Sequence, residues 1–212
     1  MGATKSDFGS KERSGRERLL QAALRLGARH RSIGNLGLRE LAREAGMHHT
    51  AIYRHFKSID DVAVALVEPL STQLRKELHA ARTNAKKAPG DMIRASTKRY
   101  FEYVSEHPLG TIFYAREIHG RLPVLRAALQ SMLDEFAADI AEDLMSLDWE
   151  NRLPAYDMLH MLTCVIVQHS LFAALDYLEK PDQSELIMNR TIVFVECLIT
   201  GAVARNAKDS QC

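Results

Sequence analysis

The groups able to do chemistry are concentrated in one run, Leu38-Arg-Glu-Leu-Ala-Arg-Glu-Ala-Gly-Met-His-His-Thr-Ala-Ile-Tyr-Arg-His-Phe-Lys57. A small residue, Ala42, is followed four positions on by Gly46 and then by the apolar Ile52. That spacing suits two short helices crossing closely about a tight turn. Ala42 admits the close approach, Gly46 tolerates a positive φ, and Ile52 packs back. Leu41, Ala45 and Met47 complete the inner face. The outward residues are polar: Arg39 and Arg43 on the first helix, His49, Thr50, Tyr53 and Arg54 on the second, and Lys57 just beyond. Such a helix-turn-helix hydrogen-bonds DNA. The N-terminal end of its second helix meets base edges in the major groove, and flanking basic groups meet phosphates. Thr50 and Ala51 suit a thymine methyl, and His49 can donate to guanine. Arg39 and Arg43 have a second reading, as a solvated face paired with Glu40 and Glu44. His48 stands at the helix start, where Ser or Asn is commoner.

The charge distribution agrees. The chain has 212 residues, 28 Lys+Arg against 27 Asp+Glu, and a net charge of +1. Residues 1–60 hold 12 Lys+Arg and 6 Asp+Glu, a balance of +6, which leaves 16 against 21 and a balance of −5 for the rest. A basic N-terminal quarter on an acidic body points that end toward a polyanion. The tail residues Lys5, Lys11, Arg13 and Arg16 would extend the contact along the backbone or minor groove, unless the tail is simply disordered.

The elements that must hold this motif are helices. Apolar residues recur at helical period almost throughout, and no strand period stands out. The expected helices are Glu12–Arg31, Leu38–Ala45, His49–His55, one from Ile59 through Leu78, Met92–Glu106, Leu109–His119, Pro123–Leu147, Pro154–Glu179 and Gln183–Arg205, nine in all. Pro69 falls inside the fourth and should kink or interrupt it. The fold class is all-α, with a tail over 1–11, a helix-turn-helix domain over 12–58, and a ligand-sensing and dimerisation domain over 59–207. The last two helices carry Leu159, Leu162, Val165, Ile166, Leu175, Ile192, Val193, Val195, Leu198, Ile199 and Val203, more than one apolar stripe, so each should be buried on two sides.

Other classes find little support. A 46% hydrophobic content with mixed charge excludes a mainly disordered chain. No uninterrupted apolar run reaches the roughly 18 residues of a membrane span, and the polar start carries no signal peptide. Met1-Gly2-Ala3-Thr4-Lys5-Ser6 fits the myristoylation pattern by chance. Cys164, Cys197 and Cys212 form no C-x-x-C pair; the first two lie in apolar helical patterns and read as small buried hydrophobes in a reducing, cytoplasmic compartment. His48, His49 and His55 do not form H-E-x-x-H, and G-x-S-x-G, P-loop and G-x-G-x-x-G motifs are absent, so no enzyme, metal or cofactor is expected. A helical adaptor that binds no DNA is the rival of a different class.

The run Leu38-Arg-Glu-Leu-Ala-Arg-Glu-Ala-Gly-Met with Ile52-Tyr-Arg-His-Phe-Lys resembles the DNA-binding domain of the TetR family of repressors, over about residues 15–68. Within that family, Leu38 to Gly46, Tyr53-Arg-His-Phe, Ala115-Arg-Glu and Leu125-Arg-Ala-Ala are similar to the subgroup repressing unsaturated fatty-acid biosynthesis. The resemblance implies a homodimer whose first three helices bind DNA and whose last two form a four-helix interface. It places Thr50 and Tyr53 among the DNA contacts, Tyr53 on a phosphate. Many members carry Lys where this chain has Ile59; Lys57 stands two residues earlier. Two-fold symmetry suits a palindromic operator with half-sites about 34–36 Å apart.

The resemblance also implies an effector pocket within helices four to seven. Inward candidates are Phe101, Val104, Ile112, Phe113, Met132, Phe136, Met158, Leu162, Ile166 and Phe172, with Arg116, His119, His160, Gln168 and His169 on or beside the apolar faces. Any of these can equally be ordinary core. A mostly apolar set with few positive groups suits an elongated apolar effector with a polar or anionic head, such as an acyl thioester or fatty acid. The alternative is another apolar small molecule, as for a regulator of an efflux pump.

Overall fold

The computed structural model describes residues 14–29, 32–85, 88–146 and 153–209. The chain's first 13 residues, with the myristoylation-like pattern and most of the basic tail, lie outside them, as do Trp149 and Cys212. Among the described residues there are eight α-helices and no strand: α1 Gly15–Arg29, α2 Leu38–Glu44, α3 Ile59–Asn84, α4 Pro89–Glu106, α5 Pro108–Glu117, α6 Pro123–Met145, α7 Tyr156–Glu179 and α8 Ser184–Asp209. Three of these helices open on Pro, whose missing N–H is harmless at the first turn.

One expected helix is corrected, and of the two outcomes expected at Pro69, interruption is removed. The segment His49–His55 is not an α-helix but a turn followed by a short 3₁₀ helix, Ile52–Arg54. Thr50, Ile52 and two histidines propagate a helix poorly, and so short a segment cannot nucleate by itself. It is held by anchors instead, Ile52 and Phe56 being buried. Pro69 does not interrupt α3, which continues through it to Asn84. The proline denies the Ala65 carbonyl a donor, and the carbonyl beside it, that of Leu66, accepts a buried bond from the Tyr114 hydroxyl at 2.9 Å.

Two hydrophobic clusters organise the chain. The first joins Leu19, Leu41, Ile52 and Val62 to Phe113 of α5 and Leu125 and Leu129 of α6. It therefore runs without a break from the helix-turn-helix into the body. Gly27 makes that junction close, since a Cβ there would stand 2.9 Å from the Phe113 ring. The second cluster joins Met92 and Ile93 of α4, Ala141 and Leu144 of α6, Leu159 and Ile166 of α7, and Val195 and Ile199 of α8.

Charged pairs clamp α3 to α6. Arg75 grips Asp139 bidentately at 2.6 and 2.8 Å, and Arg82 reaches Asp143 at 2.5 Å. The apolar stripe Leu74–Leu78 continues onto Arg82, whose side chain is only 3% exposed. On α7 and α8 one apolar face is covered, while Met158, Met161, Val165, Phe172, Leu186 and Val193 are exposed. Windows of these helices are long and apolar enough to cross a bilayer by length and composition, polar interruptions notwithstanding. The two cysteines expected to be buried are not: Cys164 is half-buried and Cys197 exposed.

Candidate nucleic-acid interface and effector cavity

The turn of the helix-turn-helix is built by backbone chemistry. Gly46 has φ +64°, and the Gly46 N–H donates to Arg43 O at 3.0 Å while Met47 N–H donates to Ala42 O at 2.8 Å. This paired pattern closes α2 and turns the chain. Arg18 of α1 locks it from outside, donating to the carbonyls of Ala45 at 2.7 Å and Gly46 at 3.1 Å. An alanine at 46 would be held in the left-handed region, with its Cβ 3.3 Å from the Arg18 guanidinium. Gly46→Ala is expected to lower stability by about 1–2 kcal/mol, read as the shift in a urea-unfolding midpoint. A variant as stable as the parent would show that the turn relaxes.

Past the turn, the N-cap of the 3₁₀ helix, Ala51, has no side-chain cap bond, while His48 bonds Thr50 locally. Its Nδ1 lies 2.9 Å from Thr50 Oγ1 and 3.5 Å from the Thr50 N–H, and its ring lies 4.4 Å from that of His49. Arg39, Arg43, His48, His49, Thr50, Tyr53, Arg54 and Lys57 are all exposed, and Ala51 is half-buried. Tyr53 is 55% exposed between the buried Ile52 and the recognition turn's end. Glu44, the partner considered for Arg43, instead turns back to Arg25 of α1 at 3.0 Å, which holds its carboxyl below the usual range. Below this face α3 begins with a reciprocal cap: Ser58 Oγ accepts from the Asp61 N–H at 3.1 Å, and Asp61 accepts from the N–H groups of Lys57 and Ser58 at 2.9 and 3.1 Å. These bonds lower the Asp61 carboxyl pKa and fix the backbone that carries Lys57.

The body holds a partly open cavity of about 110 Å³. Its wall takes Ser71, Leu74, Leu78 and Arg82 from α3, Ser96, Thr97, Tyr100, Tyr103 and Val104 from α4, and Gly110, Thr111 and Tyr114 from α5. Met132, Leu133, Phe136 and Ile140 of α6, Val167, Ser170 and Leu171 of α7, and His107 complete it. Burial pushes the phenols of Tyr100, Tyr103 and Tyr114 up, that of Tyr103 to about 12, so all three are neutral hydroxyls. Tyr100 donates to the Ser170 carbonyl at 3.2 Å and Tyr114 to that of Leu66 at 2.9 Å. The basic groups of the wall are Arg82, paired with Asp143, and His107, whose ring packs on Tyr103 at 4.2 Å.

Of the expected pocket residues, Val104, Met132 and Phe136 line this cavity. The others lie elsewhere. Phe101 is buried against the rings of Tyr100 and Tyr177. Phe113 packs on α1 at Gly27, and Arg116 donates to the Ala28 carbonyl at 2.9 Å. Ile166 sits in the second cluster, and the His169 ring lies 4.1 Å from that of Phe194. Leu162 is half-buried, while Met158 is exposed on α7. His119 lines a separate depression with Gln168 and Phe172.

Residues 19–66 match the model of the family described as bacterial regulatory proteins, tetR family. The whole fold also has solved counterparts. A TetR-family transcriptional regulator from Syntrophomonas wolfei is similar with a TM-score of 0.71 at 14% identity, over 88% of this chain and 95% of that one. Reduced NemR of E. coli matches with a TM-score of 0.67 at 21% identity, over 88% of this chain and 98% of that one. The fatty acid degradation regulator FadR of Bacillus halodurans matches with a TM-score of 0.70 at 13% identity, over 89% and 96%. This chain thus carries a tetR-family N-terminal domain within the fold of TetR-family regulators. Identities this low speak for the shared fold.

Proposed function

We propose that this chain is an effector-responsive transcriptional regulator, a repressor that binds a palindromic operator as a homodimer. The observation that carries the reading is the exposed polar and basic face on a buried scaffold: Thr50, Tyr53 and Lys57 outward, Ile52 and Phe56 inward, all set by the Gly46 turn. The tetR-family match over residues 19–66 supports it. His49, Thr50 and Ala51 read bases; Arg39, Arg43, Tyr53, Arg54 and Lys57 meet the backbone. The exposed apolar face of α7 and α8 suits pairing with a second copy as a dimer.

The effector enters the tyrosine-lined cavity. An apolar cavity of about 150 Å³ accommodates benzene, so about 110 Å³ suits a compact apolar molecule. An acyl thioester would require the space to open several-fold, and the wall's guanidinium is already paired; the cavity's size favours the compact alternative. Occupancy would act through α5. One turn of it lines the cavity at Gly110, Thr111 and Tyr114, and its last turn holds the α1–α2 region through Arg116 and Glu117. A molecule that binds the free and DNA-bound dimers equally well would shift nothing.

Selection from random duplexes, followed by fluorescence anisotropy against salt, tests the DNA reading. Sequence-preferring binding with a steep salt slope is expected. Thr50→Ala should lose about 1–3 kcal/mol and relax specificity at one base step, whereas Lys57→Ala should weaken all sequences and reduce the slope by about 1. Failure to enrich any duplex would sink the reading in favour of a helical adaptor. Native mass spectrometry of the same preparation reports the dimer and any retained small molecule.

A further inference from the structure

Away from the cavity, α6 and α7 bring together three metal-ligating groups of different chemistry. His160 and Cys164 lie one turn apart on α7, so both project from one face, and Asp134 reaches across from α6. Cys164 Sγ stands 3.9 Å from His160 Nδ1 and 4.0 Å from Asp134 Oδ1, and His160 Nε2 stands 3.4 Å from the same carboxylate oxygen. With one donor atom taken from each residue, all three lie within 4.8 Å of one another. His160 is further oriented by Tyr156, whose ring stacks on it at 5.8 Å.

We propose that Asp134, His160 and Cys164 form a binding site for a divalent cation of the zinc class. The donor types carry the choice: thiolate and imidazole select borderline-soft ions and are poor ligands for magnesium or calcium. Zinc–ligand bonds of about 2.0–2.3 Å in a tetrahedron put donor atoms about 3.3–3.6 Å apart. His160 can give the ion only one of its ring nitrogens, so the donor set is the one that lies within 4.8 Å, and side-chain rotation on the two helices must draw it together by about 1 Å. The depression lined by His119, Gln130 and Gln168 adjoins both Asp134 and Cys164. It gives water, or a further side chain, access to the fourth position that three protein ligands leave open. On binding, the Cys164 S–H bond breaks, a sulfur–metal bond forms, and the proton leaves to solvent. The ion would pin α6 to α7 beside the apolar face that α7 exposes. The competing arrangement is a plain His160–Asp134 pair with the thiol as a bystander, and the two differ in whether sulfur touches metal.

Cobalt(II) makes that difference visible. Full-length protein stripped with a chelator is titrated with Co²⁺ and followed by absorption. The expected result is saturation at one equivalent per chain, with an intense near-ultraviolet thiolate-to-cobalt band and visible bands of tetrahedral cobalt. Zn²⁺ should bleach both. Cys164→Ser should abolish the near-ultraviolet band, Cys197→Ser should leave it, and Asp134→Asn and His160→Gln should each weaken binding about tenfold or more. Circular dichroism checks the fold, and Cys164→Ala replaces the serine variant if that one unfolds. Absence of a thiolate band at one equivalent overturns the proposal. So does a band that survives removal of the Cys164 thiol.

Discussion

Arg82→Leu is expected to destabilise the chain by about 3–5 kcal/mol, the usual effect of breaking a buried ion pair from one side. Its guanidinium is 3% exposed and lies 2.5 Å from Asp143, which is itself 15% exposed. Leucine leaves that carboxylate sequestered with, among the described residues, His79 beside it at 3.1 Å. The double variant Arg82→Leu/Asp143→Leu should recover most of the loss, because apolar replacement of both partners removes the stranded charge. The sister pair sets the scale. Arg75 has the better geometry, gripping Asp139 with two bonds, but its side chain is 35% exposed, so water and salt screen it. Arg75→Leu should therefore lower stability by about 1 kcal/mol or less. Urea unfolding of the four proteins checks the ranking. Equal losses for Arg82→Leu and Arg75→Leu would mean that burial does not govern this ladder.

The long helices were legible because helical periodicity is a local signal, although those expected from Met92 and Leu109 in fact begin at Pro89 and Pro108, where proline opens the first turn. The motif from Leu38 to Lys57 was legible because a small residue, a glycine and an apolar anchor must stand at fixed offsets for the chain to turn there. Periodicity says which face of a helix is covered but not by what. Phe113 is buried on α5 beside Tyr114, yet Gly27 draws α1 so close that Phe113 fills that seam, and of the two rings it is Tyr114 that reaches the cavity. The cavity's tyrosines escaped notice for the same reason, since nothing local separates a wall residue from core. Arg82 and Glu117 had a readable signal. Arg82 continues the stripe of Leu74 and Leu78, and Glu117 follows Phe113 by one turn, so each is a charge on an inward face that demands a partner. The recognition segment departs from a helix because its residues propagate one poorly and it is too short to nucleate, so the buried Ile52 and Phe56 hold its shape.

Glu117→Ala is expected to lower stability by about 3 kcal/mol, because it orphans buried donors of the DNA-binding half rather than merely deleting a charge. Glu117 is 2% exposed and ends α5. Its Oε1 accepts from the Ile33 N–H at 2.7 Å, and its Oε2 accepts from the Ser32 hydroxyl at 3.3 Å. Ser32 Oγ in turn accepts from the Gly34 N–H at 3.3 Å. The carboxylate thus fastens the link between α1 and α2 to the helix that lines the cavity. Gly120 lets it sit there, since a Cβ at 120 would collide with Glu117 Oε2. Glu117→Gln keeps an oxygen for Ile33 and offers an N–H to Ser32, so its loss should be nearer 1 kcal/mol. Hydrogen exchange separates this role from general loosening. In Glu117→Ala the Ile33 amide should exchange faster than the amides of α7 and α8, and DNA affinity should fall although no residue of the exposed face has changed. Uniform acceleration across the chain would instead assign Glu117 to global stability, and α5 would lose its place as the connection between cavity and DNA.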